Sequence, residues 1–235
     1  MAIKYVAEID QVHEVSLRGE ALVEPWAAEL AALGLQAVCS SNRVATMLSA
    51  TSARFRGMRF REFSISVLAR EDETDAEGWY LAHAFNSSRF FAWVERTMFA
   101  TPYYLGAIEV NAMAPARVHV SAGNGSISIS MASNTTGRQP IRNGPEIWEG
   151  PLFLPTRAKA GAAQRKWFYG RLSGDADVYA FAPGQDEISI AQATQWPALA
   201  KLAAADFQGT EWLLRTSAVH AKSRTYERPT SKQLA

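Results

Sequence analysis

The segment "FREFSISVLA", Phe60 to Ala69, alternates with a period of two. Phe63, Ile65 and Val67 fall on one face, and Glu62, Ser64, Ser66 and Leu68 fall on the other. Such a pattern cannot rest as a helix, because it would scatter the apolar residues around the cylinder. It specifies a half-buried strand whose second face carries a carboxylate and two hydroxyls. After the charged loop "REDETDAEG" comes "WYLAHAF", a second strand, so the two are expected to pair antiparallel. The rest of the chain is read around this pair.

Residues 1–24 mix apolar and charged positions and predict one or two strands. "EPWAAELAALGL" predicts a helix, with Pro25 at its first turn, Gly34 near its stop, and Trp26, Leu30 and Leu33 on one face. Residues 40–60 carry Arg43, Arg54, Arg56 and Arg59 among small residues and give no clear period. "SSRFFAWVERTMF" predicts a short helix capped by Ser87 or Ser88. Pro102 forces Thr101 out of helical geometry, and "YYLGAIEVNAM" then reads as a strand.

Beyond that point strands dominate. "RVHVSAGNGSISISMA" predicts a hairpin around Gly123-Asn124-Gly125, and "KWFYGRLSGDADVYAFAP" another turning at Ser173-Gly174-Asp175. "EISIA" is a short strand, "TQWPALAKLAAADF" a helix broken or opened at Pro197, and "TEWLLRTSAVHAKSRTY" a long final strand. Residues 133–165, rich in Gly, Pro, Asn and Thr, read as a long connection. The expectation is one mainly β (α+β) domain over residues 1–228 and a flexible tail over 229–235.

Several function classes are excluded or disfavoured. A net charge of +1 gives no broad electrostatic footprint for nucleic acid. No stretch of ~18 uninterrupted apolar residues is available to span a membrane, and the N-terminus has no apolar signal core. The single cysteine, Cys39, allows no intrachain disulfide and suits a reducing compartment. The expectation is a soluble cytoplasmic protein. Gly123-x-Gly125 does not precede a helix and so fails as a dinucleotide loop. His13, His83, His119 and His220 lack metal-ligand spacing, and no cofactor or metal is expected.

The order of motifs between residues 60 and 110 resembles the acetoacetate decarboxylase-like superfamily. A Glu-bearing strand ("FREFS", Glu62) is followed by a Gly-aromatic strand ("GWYLAHAFN"). Next come a helix with an arginine ("WVERTMF", Arg96) and a strand opening on a proline motif ("TPYYLGAIEV"). "SLRGEAL" is similar to that family's early Arg-bearing strand, which would match Arg18 to a substrate-binding arginine. The later half is similar to a branch in which the proline is followed by tyrosines. The resemblance implies a closed, cone-like antiparallel β-barrel with a few peripheral helices and an internal pocket. It also makes a homo-oligomer an expectation.

In the decarboxylases of that family a lysine in this motif forms a Schiff base with a keto acid. Here both lysine positions hold phenols, Tyr103 and Tyr104, which cannot form an imine. Lys222 in the final strand and Lys166 at a strand start are the candidates to stand in. Without an imine, the expected site is an acid/base one. Glu62 transfers protons, Tyr103 donates a hydrogen bond to a developing oxyanion, and Arg18, Tyr104 and Arg96 bind substrate. The ligand would be a small carbonyl or carboxylate compound. Enolisation, dehydration, aldol-type cleavage, cyclisation and imine-free decarboxylation all fit.

The residues also allow plainer roles. Glu62 can face solvent or pair with Arg59 or Arg61, the tyrosines can be barrel packing, and Arg96 can pair with Glu95. Two functions therefore stand side by side: a lyase or isomerase-like enzyme, and a non-catalytic barrel that binds small molecules. An inward Glu62 in hydrogen-bond reach of a tyrosine hydroxyl in a closed pocket favours the first. A cavity lined by aromatics alone, with Glu62 in water, favours the second.

Overall fold

The computed structural model describes residues 3–123, 127–155, 166–191 and 196–227. In chain order the first elements are β1 (Tyr5–Leu22), α1 (Glu24–Ala32), β2 (Leu35–Ala37), β3 (Cys39–Ser40), β4 (Arg43–Phe55), β5 (Met58–Glu71) and β6 (Glu77–Asn86). Then come α2 (Arg89–Met98), β7 (Tyr103–Leu105), β8 (Ala107–Asn111), β9 (Arg117–Ala122) and β10 (Ile127–Ala132). The last are β11 (Arg142–Leu154), β12 (Lys166–Ala180), β13 (Glu187–Ile190), α3 (Pro197–Ala204), β14 (Gln208–Ser223) and β15 (Tyr226–Glu227).

The long strands close into a hydrogen-bonded ring in the order β5, β4, β1, β14, β12, β11, β6, with β6 returning to β5. Every seam of the ring is antiparallel except β6–β11, where Trp79 and Tyr80 pair in parallel with Leu152 and Phe153. At this seam the backbones come very close. A Cβ on Gly78 would collide with the Pro151 carbonyl oxygen, so only glycine fits there. A four-stranded antiparallel sheet, β13-β10-β9-β8, lies outside the ring.

Alternation sorts the side chains. On β5, Phe63, Ile65 and Val67 are fully buried in the main core. There they join Trp26 and Leu30 of α1, Leu199 and Leu202 of α3, and Ile108, Val120 and Ile129 of the small sheet. The intervening Glu62, Ser64 and Ser66 face a cavity inside the ring. β4 does the same, with Leu48 and Ala50 in the core and Met47, Ser49 and Thr51 on the cavity wall. The core therefore sits between the outside of the ring and the helices and small sheet, and the inside stays hollow.

Residues 5–22, expected as one strand or two, make one 18-residue strand. Several other local expectations are corrected. The stretch around residues 40–60, without a clear period in the sequence, is mostly strand, the facing arms of β4 and β5. "YYLGAIEVNAM" breaks at Gly106 into β7 in the ring sheet and β8 in the small one. The supposed connection over 133–165 contains β11, thirteen residues paired along their whole length with β12. β12 in turn runs straight through Ser173-Gly174-Asp175. Gly174, at φ +148°, sits there in a bulge against β14 instead of a turn. The tip of the Gly123-Asn124-Gly125 hairpin, Thr194 and Gln195 ahead of α3, and the tail over 229–235 lie outside the described residues.

One end of the ring's interior is closed by charge. Arg215 (2% exposed) donates to Glu14 (1% exposed) at 2.7 Å. His220 Nε2 lies 3.0 Å from the same carboxylate oxygen, and the Ser16 hydroxyl donates to the other at 2.7 Å. Burial pushes the Glu14 carboxyl up, but His220, Arg215 and Ser16 together bring it down to about 2. This group stabilises the fold above its ordinary value of 4.5, and that contribution is lost as pH falls toward 2. Replacing Glu14 by Gln strands the Arg215 charge and is expected to cost roughly 3–5 kcal/mol in denaturant unfolding at neutral pH. The variant should also lose much of the acid-induced drop in stability that the wild type shows between pH 4.5 and 2.

Candidate active site

The cavity inside the ring has a volume of about 680 Å³. Five of its polar groups gather where β5, β7, β14 and α2 meet. Glu62 comes from β5, Tyr103 opens β7, Lys222 and His220 stand two residues apart on β14, and Glu95 comes from α2. All five line the same space.

Each is placed by local geometry. β7 lies parallel to β6, with Ala84 opposite Tyr103 and Phe85 opposite Tyr104, so adjacent tyrosines point to opposite sides. Tyr103 turns inward against Leu81, Ala84, Leu154 and Phe168. Helix α2 is anchored across the cavity by its N-terminus. Ser88 caps it by accepting from Phe91 N, and Asn86 Oδ1 accepts from Ser88 N at 2.7 Å. Asn86 is fully buried, and its Nδ2 donates to Glu62 Oε1 at 2.8 Å. A single side chain thus ties the helix start to the carboxylate.

The Tyr103 hydroxyl donates to Glu62 Oε2 at 3.2 Å. Burial and the nearby negative Glu95 push the Glu62 carboxyl up to about 7, against the opposing pull of Lys222, His220 and the Tyr103 hydrogen bond. Burial, helped by the charges of Glu62 and Glu95, drives the Tyr103 phenol well above its ordinary value, so it remains an O–H donor. Lys222 Nζ donates to Glu95 Oε1 and lies 4.0 Å from the centre of the Phe99 ring. Glu95 Oε2 accepts from the Thr101 hydroxyl at 3.2 Å. The site therefore holds a carboxyl poised near neutrality, a permanent hydroxyl donor and an ammonium held by a second carboxylate. Such a set can take a proton from carbon and steady the oxyanion that results. Among the described residues no three His, Cys, Asp or Glu side chains converge to hold a metal ion.

The structure brings Glu62 and Tyr103 together and leaves the three expected substrate-binding residues off the cavity wall. Arg18 sits beyond the Glu14–Arg215 pair, ion-paired with Glu146 at 3.4 Å and Glu211 at 3.0 Å, where it braces strands. Tyr104 points to the opposite side of β7, stacked on His83 at 4.9 Å and edge-on to Trp196. Arg96 lies over the Tyr104 ring, and Glu95, its suggested partner, turns to Lys222 instead. Lys222 does reach the cavity; the Lys166 side chain lies outside the described residues. Asn86, Glu95 and His220 were missed. Only the spacing of His220 and Lys222, two apart on one predicted strand, offered a signal.

No protein-family model matches the chain, and no curated protein sequence matches it significantly. Solved structures do. An acetoacetate decarboxylase from Legionella pneumophila superposes with a TM-score of 0.68 at 11% identity, covering 100% of this chain and 91% of that one. The enduracididine biosynthesis enzyme MppR complexed with pyruvate gives 0.62 at 12% identity, covering 97% and 91%. An acetoacetate decarboxylase-like enzyme from Sphingomonas wittichii RW1 gives 0.55 at 13% identity, covering 95% and 94%. The chain shares its fold with these acetoacetate decarboxylase and acetoacetate decarboxylase-like structures.

The raised Glu62 carboxyl has a consequence for stability. Its proton is bound more tightly in the folded chain than in the unfolded one, so stability falls as pH rises from 4.5 through about 7. Glu62→Gln removes that dependence. Its stability relative to wild type is expected to improve by about 3 kcal/mol between pH 5 and pH 8, read from urea unfolding at both pH values. A constant difference across that range would mean that Glu62 titrates normally.

Proposed function

We propose that the protein is an enzyme of lyase or isomerase type that enolises an oxo compound by acid/base chemistry, without a Schiff base in the proline motif. The observation that carries this reading is the Tyr103 hydroxyl donating to the Glu62 carboxyl at 3.2 Å on the wall of the cavity inside the ring. The Tyr103 hydroxyl and the Glu62 carboxyl are each other's hydrogen-bond partners. A bound carbonyl oxygen takes the place of Glu62 as acceptor for the Tyr103 hydroxyl, with the Lys222 ammonium on the same wall to add positive charge. Release of that hydrogen bond leaves the Glu62 carboxylate free to take the proton from the carbon next to the carbonyl. The C–H electron pair moves into the new C=C bond, the carbonyl π pair moves onto oxygen, and Tyr103 steadies the charge.

From the enolate, return of the proton to carbon gives isomerisation or exchange. Departure of a group on the next carbon gives elimination. Both outcomes use the same two residues. The fold is shared with enzymes whose structures hold pyruvate, or the condensation product of pyruvate and imidazole 4-carboxaldehyde, and this supports an oxo or carboxylate compound as ligand. The phenols at 103 and 104 support chemistry that differs from the imine route, and the pairing of Lys222 with Glu95 keeps the one described cavity lysine engaged.

Exchange of ketone α-protons for deuterium, followed by NMR, tests the reading directly. Wild type should accelerate it, with a rate that rises through about pH 7 as Glu62 ionises. Glu62→Gln should lower it on the order of 10²–10⁴-fold, and Tyr103→Phe roughly 10²-fold. Equal rates in all three proteins would remove Glu62 and Tyr103 from the chemistry. A lysine adduct trapped by borohydride with pyruvate would transfer the chemistry to an imine, with Lys222 the residue to map first.

A further inference from the structure

The cavity is divided along its length. Successive inward residues of β5 are Met58, Phe60, Glu62, Ser64 and Ser66, and all five line it. The facing residues of β4, in register, are Phe55, Ala53, Thr51, Ser49 and Met47. Inward from Glu62 the two strands present mostly hydroxyls. Outward from it they present only hydrocarbon and aromatic surface. Helix α2 roofs the outer half with Phe91, Val94 and Met98, and the floor there includes Ile9 and Val6. The rim is mostly apolar as well: Met58, Phe90, Val6 and Met98 are among the exposed large hydrophobic residues, Met98 at 71%, and the charged residue there is Arg56 at the β4–β5 turn, lying over the Phe55 ring.

Met58 and Glu62 are four steps apart along the strand, which is ~13 Å at the usual rise of a strand. A compound the size of pyruvate or acetoacetate would occupy the neighbourhood of Glu62 and leave this outer half unfilled. Apolar surface with no ligand against it gains nothing, and a cavity of this size takes drug-sized ligands.

Resting on the enolisation reading above, we infer that the substrate is amphipathic: an oxo compound whose oxygen-bearing head lies at Glu62, Tyr103 and the serines, and whose extended alkyl or aryl body runs outward to the rim. The outer half holds the body mainly by apolar area, so it sets affinity and orientation, while the polar midpoint carries the chemistry. Substrate size is thereby selected by the outer half.

A ladder of methyl ketones from butanone through heptanone and decanone to tridecanone tests this, with binding read from quenching of tryptophan fluorescence, since Trp79 and Trp148 line the cavity. The dissociation constant should fall about fourfold per added methylene until the chain reaches the rim, and then level off. In Ala53→Trp, which blocks the outer half, the fall should stop at a shorter chain. A wild-type dissociation constant that is flat beyond butanone, or weaker binding of the longer ketones, overturns the inference. Deuterium exchange measured on the same ladder separates the two claims. Tight binding of decanone without exchange leaves the amphipathic ligand standing and refutes the enzyme reading. Exchange confined to butanone does the reverse.

Discussion

The strict alternation of β5 is the constraint on which the rest depends. Its odd-numbered residues Phe63, Ile65 and Val67 pack against helices and the small sheet, and this fixes the register of the strand. A slip of one residue would bury Glu62 in the core and turn Phe63 into the cavity. The apolar face therefore holds the carboxylate in place, although it touches nothing in the site. The same coupling recurs on β4, whose Leu48 and Ala50 hold Ser49 and Thr51 inward.

Charge inside the ring is arranged in layers. In the deepest, Arg215, His220 and Ser16 all face the Glu14 carboxylate, and they keep it ionised over the whole ordinary pH range. The next, toward the cavity, pairs Lys222 with Glu95 and leaves Glu62 facing a phenol and an amide. Two carboxyls in one cavity thus differ in partner, and the one without a cation of its own is the one driven toward neutrality. His220 touches both layers, since it lines the cavity and contacts Glu14.

Short-range patterns in the sequence were a good guide where one face of an element meets a core. The faces of β5, the β5–β6 pair, α1 with Trp26 and Leu30, and a serine cap on α2, narrowed to Ser87 or Ser88, were all legible from spacing. The motif order around Glu62 and the proline before Tyr103 led to the fold. Elements carrying glycine and proline were misjudged. β11 contains Gly144, Pro145, Gly150 and Pro151, yet pairing with β12 over thirteen residues holds it as a strand. Gly174 reads as a turn residue and serves as a bulge. The partners of Glu62 were hidden for a different reason. Asn86 faces Glu62 across the β5–β6 pair, in a register that the spacing alone did not set, and Glu95 and Lys222 come near it by helix docking and ring closure, which no local period encodes. Arg18 shows the converse, since it lies on the right strand but on the far side of a buried ion pair.

Titration of the Glu62 carboxyl carbon by NMR, in protein labelled at glutamate and assigned by comparison with Glu62→Gln, is the most direct measurement. An inflection near 7 is predicted, because burial beside Glu95 outweighs the pull of Lys222, His220 and Tyr103. An inflection at the ordinary 4.5 would mean that water reaches the carboxylate freely, and the cavity would then hold no poised base.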